Sequence, residues 1–110
     1  MLRSEFISDP DMAPIIREFV AGLPEQVALL ARHLDCPDRD ALRRVAHQLK
    51  GSGGGYGFAA ITAAAARAER AVVEQSDTVA DDVHTLIDLV RSVEGYARDA
   101  ENHQSARGAA

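Results

Sequence analysis

The chain has no tryptophan, and its three phenylalanines and two tyrosines make up only 5% of its residues. Sandwiches and barrels lean on aromatic and β-branched side chains, so this scarcity, beside frequent alanine, favours helices packed closely through small residues. Cys36 is the only cysteine. It excludes an intramolecular disulfide and a multi-cysteine zinc site, and it fits a reducing compartment. No segment approaches the roughly 20 apolar residues that span a bilayer, and the opening MLRSEFISDPDM holds no apolar run of signal-peptide length; a cytoplasmic protein is expected. A net basic charge is missing as well. At -5 overall, the chain lacks the basic face that binding to a phosphate backbone requires, so any cationic patch must be local.

What is present is helical periodicity. A length of 110 residues suits one domain, with a core from about residue 10 to 100 and a frayed tail after about 101. Ser8, Asp9 and Pro10 read as a helix start. Behind them Ile16, Phe19, Val20, Leu23, Val27, Leu30 and Leu34 form one apolar stripe to about Asp35. Pro24 lies inside that stripe, which predicts a kink or a split into two helices nearby. The segment DCPDRD closes this helix and opens a second near Pro37 or Asp38. A glycine-rich run from Gly51 to Gly57 ends it. A third helix follows from about Phe58 with Ile61, Ala65, Ala68 and Val72 on one face, and a last one, capped by Ser76 and Asp77, carries Val79, Val83, Leu86, Ile87, Val90, Val93 and Ala97. Short connections between long helices predict an all-α, antiparallel, up-and-down four-helix bundle.

The second helix carries RRVAHQLKGS. At about 100° per residue, Leu42, Val45, Ala46, Leu49, Gly53 and Tyr56 share the core face, and His47 falls roughly 150° from its centre. Arg43 and Arg44 lie one turn before His47; Lys50 and Gly51 lie one turn after it. Glycine in a helix costs about 1 kcal/mol against alanine, so Gly51, Gly53, Gly54 and Gly55 call for an offsetting reason. Gly51 and Gly54, four and seven residues beyond His47, strip away side chains that would crowd the imidazole and let a partner's backbone approach. Imidazole suits reversible phosphoryl carriage, being nucleophilic when neutral and surrendering the group readily to a carboxylate. Lys50 is placed to meet phosphoryl oxygens, with Gln48 or Ser52 as a further hydrogen-bonding group.

Other readings of these residues are weaker. GSGGGYG is not a phosphate-binding loop, because Lys50 precedes Gly51 where a Walker motif needs glycine-lysine followed by serine or threonine, and no buried strand leads into it. His33 and Cys36 could share a helix face as metal ligands, but two ligands make a poor site. His84 and His103 have no ligand cluster near them.

The segment AHQLKGSGGGYG resembles the signature of histidine-containing phosphotransfer domains through His47, Leu49, Lys50, Gly51, Ser52 and Gly57. The preceding proline-bearing helix and the following alanine-rich helix with Ala68-Glu69 extend the likeness over about residues 10 to 100; the three successive glycines, Gly53 to Gly55, depart from it. The resemblance implies a four-helix bundle whose exposed histidine is phosphorylated on the ring nitrogen distal to the backbone. It implies exchange with the aspartate of a response-regulator receiver domain and supply by a sensor or hybrid histidine kinase, without an ATP site, a metal or a cofactor in the chain itself. Mg²⁺ is then expected on the receiver domain. Docking is expected around Ala41, Arg43, Arg44, Gly51 and Gly54, structural roles at Ser52 and Gly57, and a monomeric state. The competing expectation is a helical adaptor that binds such partners and is never phosphorylated.

Overall fold

Four helices follow one another along the chain in the computed structural model, which describes residues 1–98 and 100: α1 (Ala13–Asp35), α2 (Arg39–Gly55), α3 (Ala59–Val73) and α4 (Val79–Arg91). The stripe expected for α1 is buried at Ile16, Val20, Leu23, Val27 and Leu30, with Phe19 and Leu34 packed at its edge. Its start differs from the expectation. The Asp9 side chain accepts the Asp11 amide at 2.9 Å, and its carbonyl takes the amides of Met12 and Ala13. The capping chemistry at Asp9 therefore closes a preceding turn, and Pro14 is the proline at the helix start. Nor does α1 split at Pro24, which lies buried within one continuous helix. Leu23 and Val27 sit on either side of it in the core and keep both halves docked, which outweighs one lost backbone hydrogen bond.

Each helix packs on two others: α1 on α2 and α4, and α3 on α2 and α4. The result is a ring of four around one cluster of buried side chains, in which Leu30, Ile61, Leu86 and Val90 are fully enclosed. Helices α2 and α3 approach closely at Gly53. A Cβ on Gly53 would lie 2.9 Å from Thr62 Oγ1 and 3.1 Å from the Thr62 amide nitrogen, and the fully buried Ala65 and Ala68 keep the α3 surface flat. Gly53 thus offsets its helix cost by letting two backbones meet. Despite its four glycines, α2 persists through Gly55.

The last helix is shorter than its stripe suggests. It ends at Arg91, and Gly95 takes φ of +92° before helical backbone resumes at Tyr96. The interruption has a partner. Leu2 donates its amide to the Ser92 carbonyl and accepts the Glu94 amide, both at 2.8 Å, in an isolated parallel bridge to Val93. At its start Thr78 precedes α4, Ser76 Oγ accepts the Thr78 amide at 3.2 Å, and no side-chain cap forms, so the expected capping by Asp77 is absent.

The same N-terminal segment grips the α2–α3 turn. Ser4 is buried; its hydroxyl donates to the Tyr56 carbonyl at 2.6 Å and accepts the Phe6 amide at 3.0 Å, while the Glu5 amide donates to the Gly57 carbonyl. Gly57 adopts φ of +86°, and a Cβ there would come within 2.9 Å of the Glu5 nitrogen. Only glycine meets both demands. Phe19 stacks on Tyr56 with centroids 4.5 Å apart. The expected frayed tail and His103 lie outside the described residues.

Candidate functional site

Helix α2 presents His47. Asp38 caps the helix by accepting the Ala41 amide at 3.0 Å, and Leu42, Val45, Ala46 and Leu49 bury its inner face, which fixes its rotation. His47 points away, with 62% of its side chain exposed. Helix α3 is tied to this stretch by Thr62, whose hydroxyl donates to the Lys50 carbonyl at 2.9 Å.

That tie sets Glu69 of α3 beside His47. One carboxylate oxygen, Oε2, lies 2.7 Å from His47 Nδ1; the other, Oε1, accepts from Lys50 Nζ at 2.7 Å. The Glu69 side chain is only 14% exposed. Its carboxyl is held below the ordinary glutamate range, first by the hydrogen bond from Lys50 and then by that from His47, with burial opposing both. A carboxylate that stays ionised can only accept, so Nδ1 is the donor and carries the ring proton of neutral His47. Nε2, distal to the backbone, then holds the lone pair of the neutral ring.

The expected site residues are distributed unevenly. Lys50 is where the spacing put it, but its ammonium is already engaged by Glu69. Gln48 is exposed beside His47. It lines a groove of about 310 Å³ between α1 and α2 with Phe19, Gly22, Leu23 and Ser52. Arg43 and Arg44 are exposed, Arg44 reaching back to its own helix at the Asp40 carbonyl, 3.4 Å away. Gly51 and Gly54 are exposed too, and a Cβ at Gly51 would meet nothing within 4 Å. Ala41 does not belong with them. It is 6% exposed, because it lies on the inward side of the first turn, so its side chain is withdrawn from any docking surface. Ser52 is half-buried, its carbonyl accepting the Tyr56 amide at 3.1 Å, and Gly57 shapes the turn beyond.

Two residues carry little signal in the sequence. Glu69 was visible only as part of the alanine-rich helix; nothing local signals that a residue on the next helix reaches His47. Ser4 gave no signal at all. Among the described residues no group of three or more histidine, cysteine, aspartate or glutamate side chains is placed to hold a metal ion, and no helix is long and apolar enough to cross a membrane.

Comparison with known proteins agrees with the geometry. The family model for the Hpt domain matches residues 14–101, a span that includes all four helices except the first residue of α1. No curated protein and no solved structure matches the chain. Hpt domains are phosphocarrier modules that serve histidine phosphotransfer in phosphorelays and interact there with receiver domains and kinases. The chain, with an exposed histidine held by a buried-edge glutamate on a four-helix scaffold, belongs to the Hpt domain family.

Proposed function

We propose that His47 is the phosphoacceptor, taking a phosphoryl group from a sensor kinase or from the aspartyl phosphate of a receiver domain and passing it to a response-regulator aspartate. The observation that carries this reading is the 2.7 Å contact of Glu69 with Nδ1, which leaves Nε2 as the attacking atom. The Nε2 lone pair forms the N–P bond, the P–O bond to the aspartate breaks, and the aspartate leaves as carboxylate. The ring gains positive charge as the bond forms, and Glu69 stands beside it to balance that charge. Reversal follows the same path: the receiver carboxylate attacks phosphorus, the N–P bond of the cationic phosphoimidazolium breaks, and neutral imidazole is a good leaving group.

Lys50 is the residue proposed to meet the incoming charge. Its ammonium exchanges Glu69 Oε1 for a phosphoryl oxygen or shares itself between them. Gln48 is a hydrogen-bonding candidate at the rim, and Arg43, Arg44, Gly51 and Gly54 form the approach. The carrier works as one antiparallel up-and-down domain, a cytoplasmic monomer without an ATP site of its own, and Mg²⁺ comes with the receiver domain. An adaptor that is never phosphorylated would have no use for a carboxylate fixing the histidine tautomer, which weighs against that alternative.

The test is to incubate the protein with a phosphorylated receiver domain, or with a hybrid kinase and ATP. Acid-labile, alkali-stable label is expected on the protein and absent from His47→Gln. Label retained in that variant would sink the assignment.

A further inference from the structure

A second concave surface shares no residue with the His47 site. It is a groove of about 790 Å³ between the start of α1, the N-terminal segment and the turn after α4. Its floor is apolar: Ile16, Val20 and Val93 are core residues that show one edge to it. Its rim is cationic. Arg17, Arg91 and Arg98 all line it, all are exposed, and none forms an ion pair with another described residue. The one acid in the lining, Glu94, is engaged by Arg3 at 3.4 Å. On a chain of net charge -5, three cations gathered around one apolar groove are a local reversal of sign.

The walls argue against a small enclosed ligand. Met1 and Ile7 line the groove yet are 89% and 46% exposed, whereas a small-molecule pocket buries most of its occupant. Residues 101–110, ENHQSARGAA, have no apolar side chain larger than alanine, so that stretch lacks anchors for this floor. The groove does run along two turns of α1, from Ala13 through Ile16 and Arg17 to Val20, and the small residues Ala13, Gly95 and Ala97 edge it. That shape admits a second helix at close range.

We propose that this groove docks an acidic amphipathic helix of a partner protein, its apolar residues against Ile16, Val20 and Val93 and its carboxylates on Arg17, Arg91 and Arg98. Such a partner holds the carrier while His47 stays open to receiver domains. The site is a tether, separate from phosphotransfer.

The probe is a fluorescein-labelled synthetic helix with leucines at positions i, i+4 and i+7 and glutamates between them. Its control carries lysines in place of the glutamates. The full chain is expected to bind the acidic probe saturably and the basic one not at all. Arg17→Glu with Arg91→Glu is expected to weaken binding about tenfold or more, with an unchanged circular dichroism spectrum and unchanged labelling of His47. In ¹⁵N spectra the acidic probe should shift the amides of Ala13, Gly95 and Ala97. No binding, equal binding of both probes, an indifferent double variant, or shifts centred on Gly51 and Gly54 would each overturn the proposal. So would preferential binding to phosphatidylglycerol vesicles that the probe fails to displace, which would make the patch a membrane surface.

Discussion

Replacing Glu69 with alanine removes the one group that fixes both ends of the His47–Lys50 arrangement. A buried charge-assisted hydrogen bond contributes about 1.5–3 kcal/mol. His47 is 62% exposed, so water competes, and about 1 kcal/mol is the appropriate figure for its bond to Glu69. Losing it makes the attacking tautomer and rotamer roughly fivefold rarer. The carboxylate also balances the charge that grows on the ring during attack; at a similar 1 kcal/mol the combined loss reaches roughly thirtyfold. Single-turnover transfer from a phosphorylated receiver domain, followed by rapid quench at saturating receiver, should therefore slow by between about fivefold and about thirtyfold in Glu69→Ala. Glu69→Gln keeps an acceptor oxygen for Nδ1 but not the charge, so its rate should fall between the two. Ring-nitrogen spectra should show the proton on Nδ1 in the parent and a tautomer mixture in Glu69→Ala. A Glu69→Ala protein with the parental rate and the parental tautomer would refute the reasoning.

Further outcomes follow from the same structure. The pKa of Glu69 is depressed, chiefly by Lys50, so its stabilisation is present above the ordinary glutamate range and lost as pH falls through the lowered value; urea titrations should show the parent's advantage over Glu69→Gln constant near neutrality and vanishing in acid. Lys50→Ala should slow transfer while leaving the bundle folded, with the stability lost limited to the ion pair with Glu69, since Lys50 is part-exposed and carries no core packing; an unaltered rate would remove it from the mechanism. Gly57→Ala, forced into a left-handed backbone and toward the Glu5 amide, should cost about 1–3 kcal/mol in thermal melts. Gly53→Ala should destabilise by prying α3 from α2, whereas Gly51→Ala, with open space around its Cβ, should stabilise by about 0.5–1 kcal/mol; matching signs for the two would contradict the packing described. Ser4→Ala should cost about 1–2 kcal/mol through the orphaned Tyr56 carbonyl and Phe6 amide.

The stripes of α1 and α3 could be read from the sequence because burial repeats at the helical period, and so could the outward position of His47. Helical spacing puts Gly53 on the core side, where it is buried, but its role there, a crossing point with Thr62, depends on a helix that the spacing of α2 says nothing about. Glu69 was hidden for the same reason. Helical spacing reveals neighbours three or four residues apart, and this contact joins two helices. The break after Arg91 was masked by coincidence of register: Val93 is buried, as the periodic stripe requires, but by pairing with Leu2 instead of by continuing the helix. Asp9 failed as a helix cap since Asp9 and Pro10 suit a turn as well as a helix start. Ala41 failed as a docking residue because alanine's size and neutrality let it sit on either face.

The pairing of Leu2 with Val93 bears on how the molecule comes into being. Most of its contacts join helices that are adjacent in the chain, and such hairpins assemble quickly because little chain has to be closed to form them. The N-terminal strap is the opposite case: its bridge joins nearly the two ends of the described chain, and its other anchor, Ser4 to Tyr56, spans half of it. A segment whose partners lie this far along the sequence finds its place only after α4 has formed. The bundle is thus expected to assemble from its hairpins first and to be latched afterwards, with an unlatched species exposing Gly57 and the mouth of the arginine-rimmed groove.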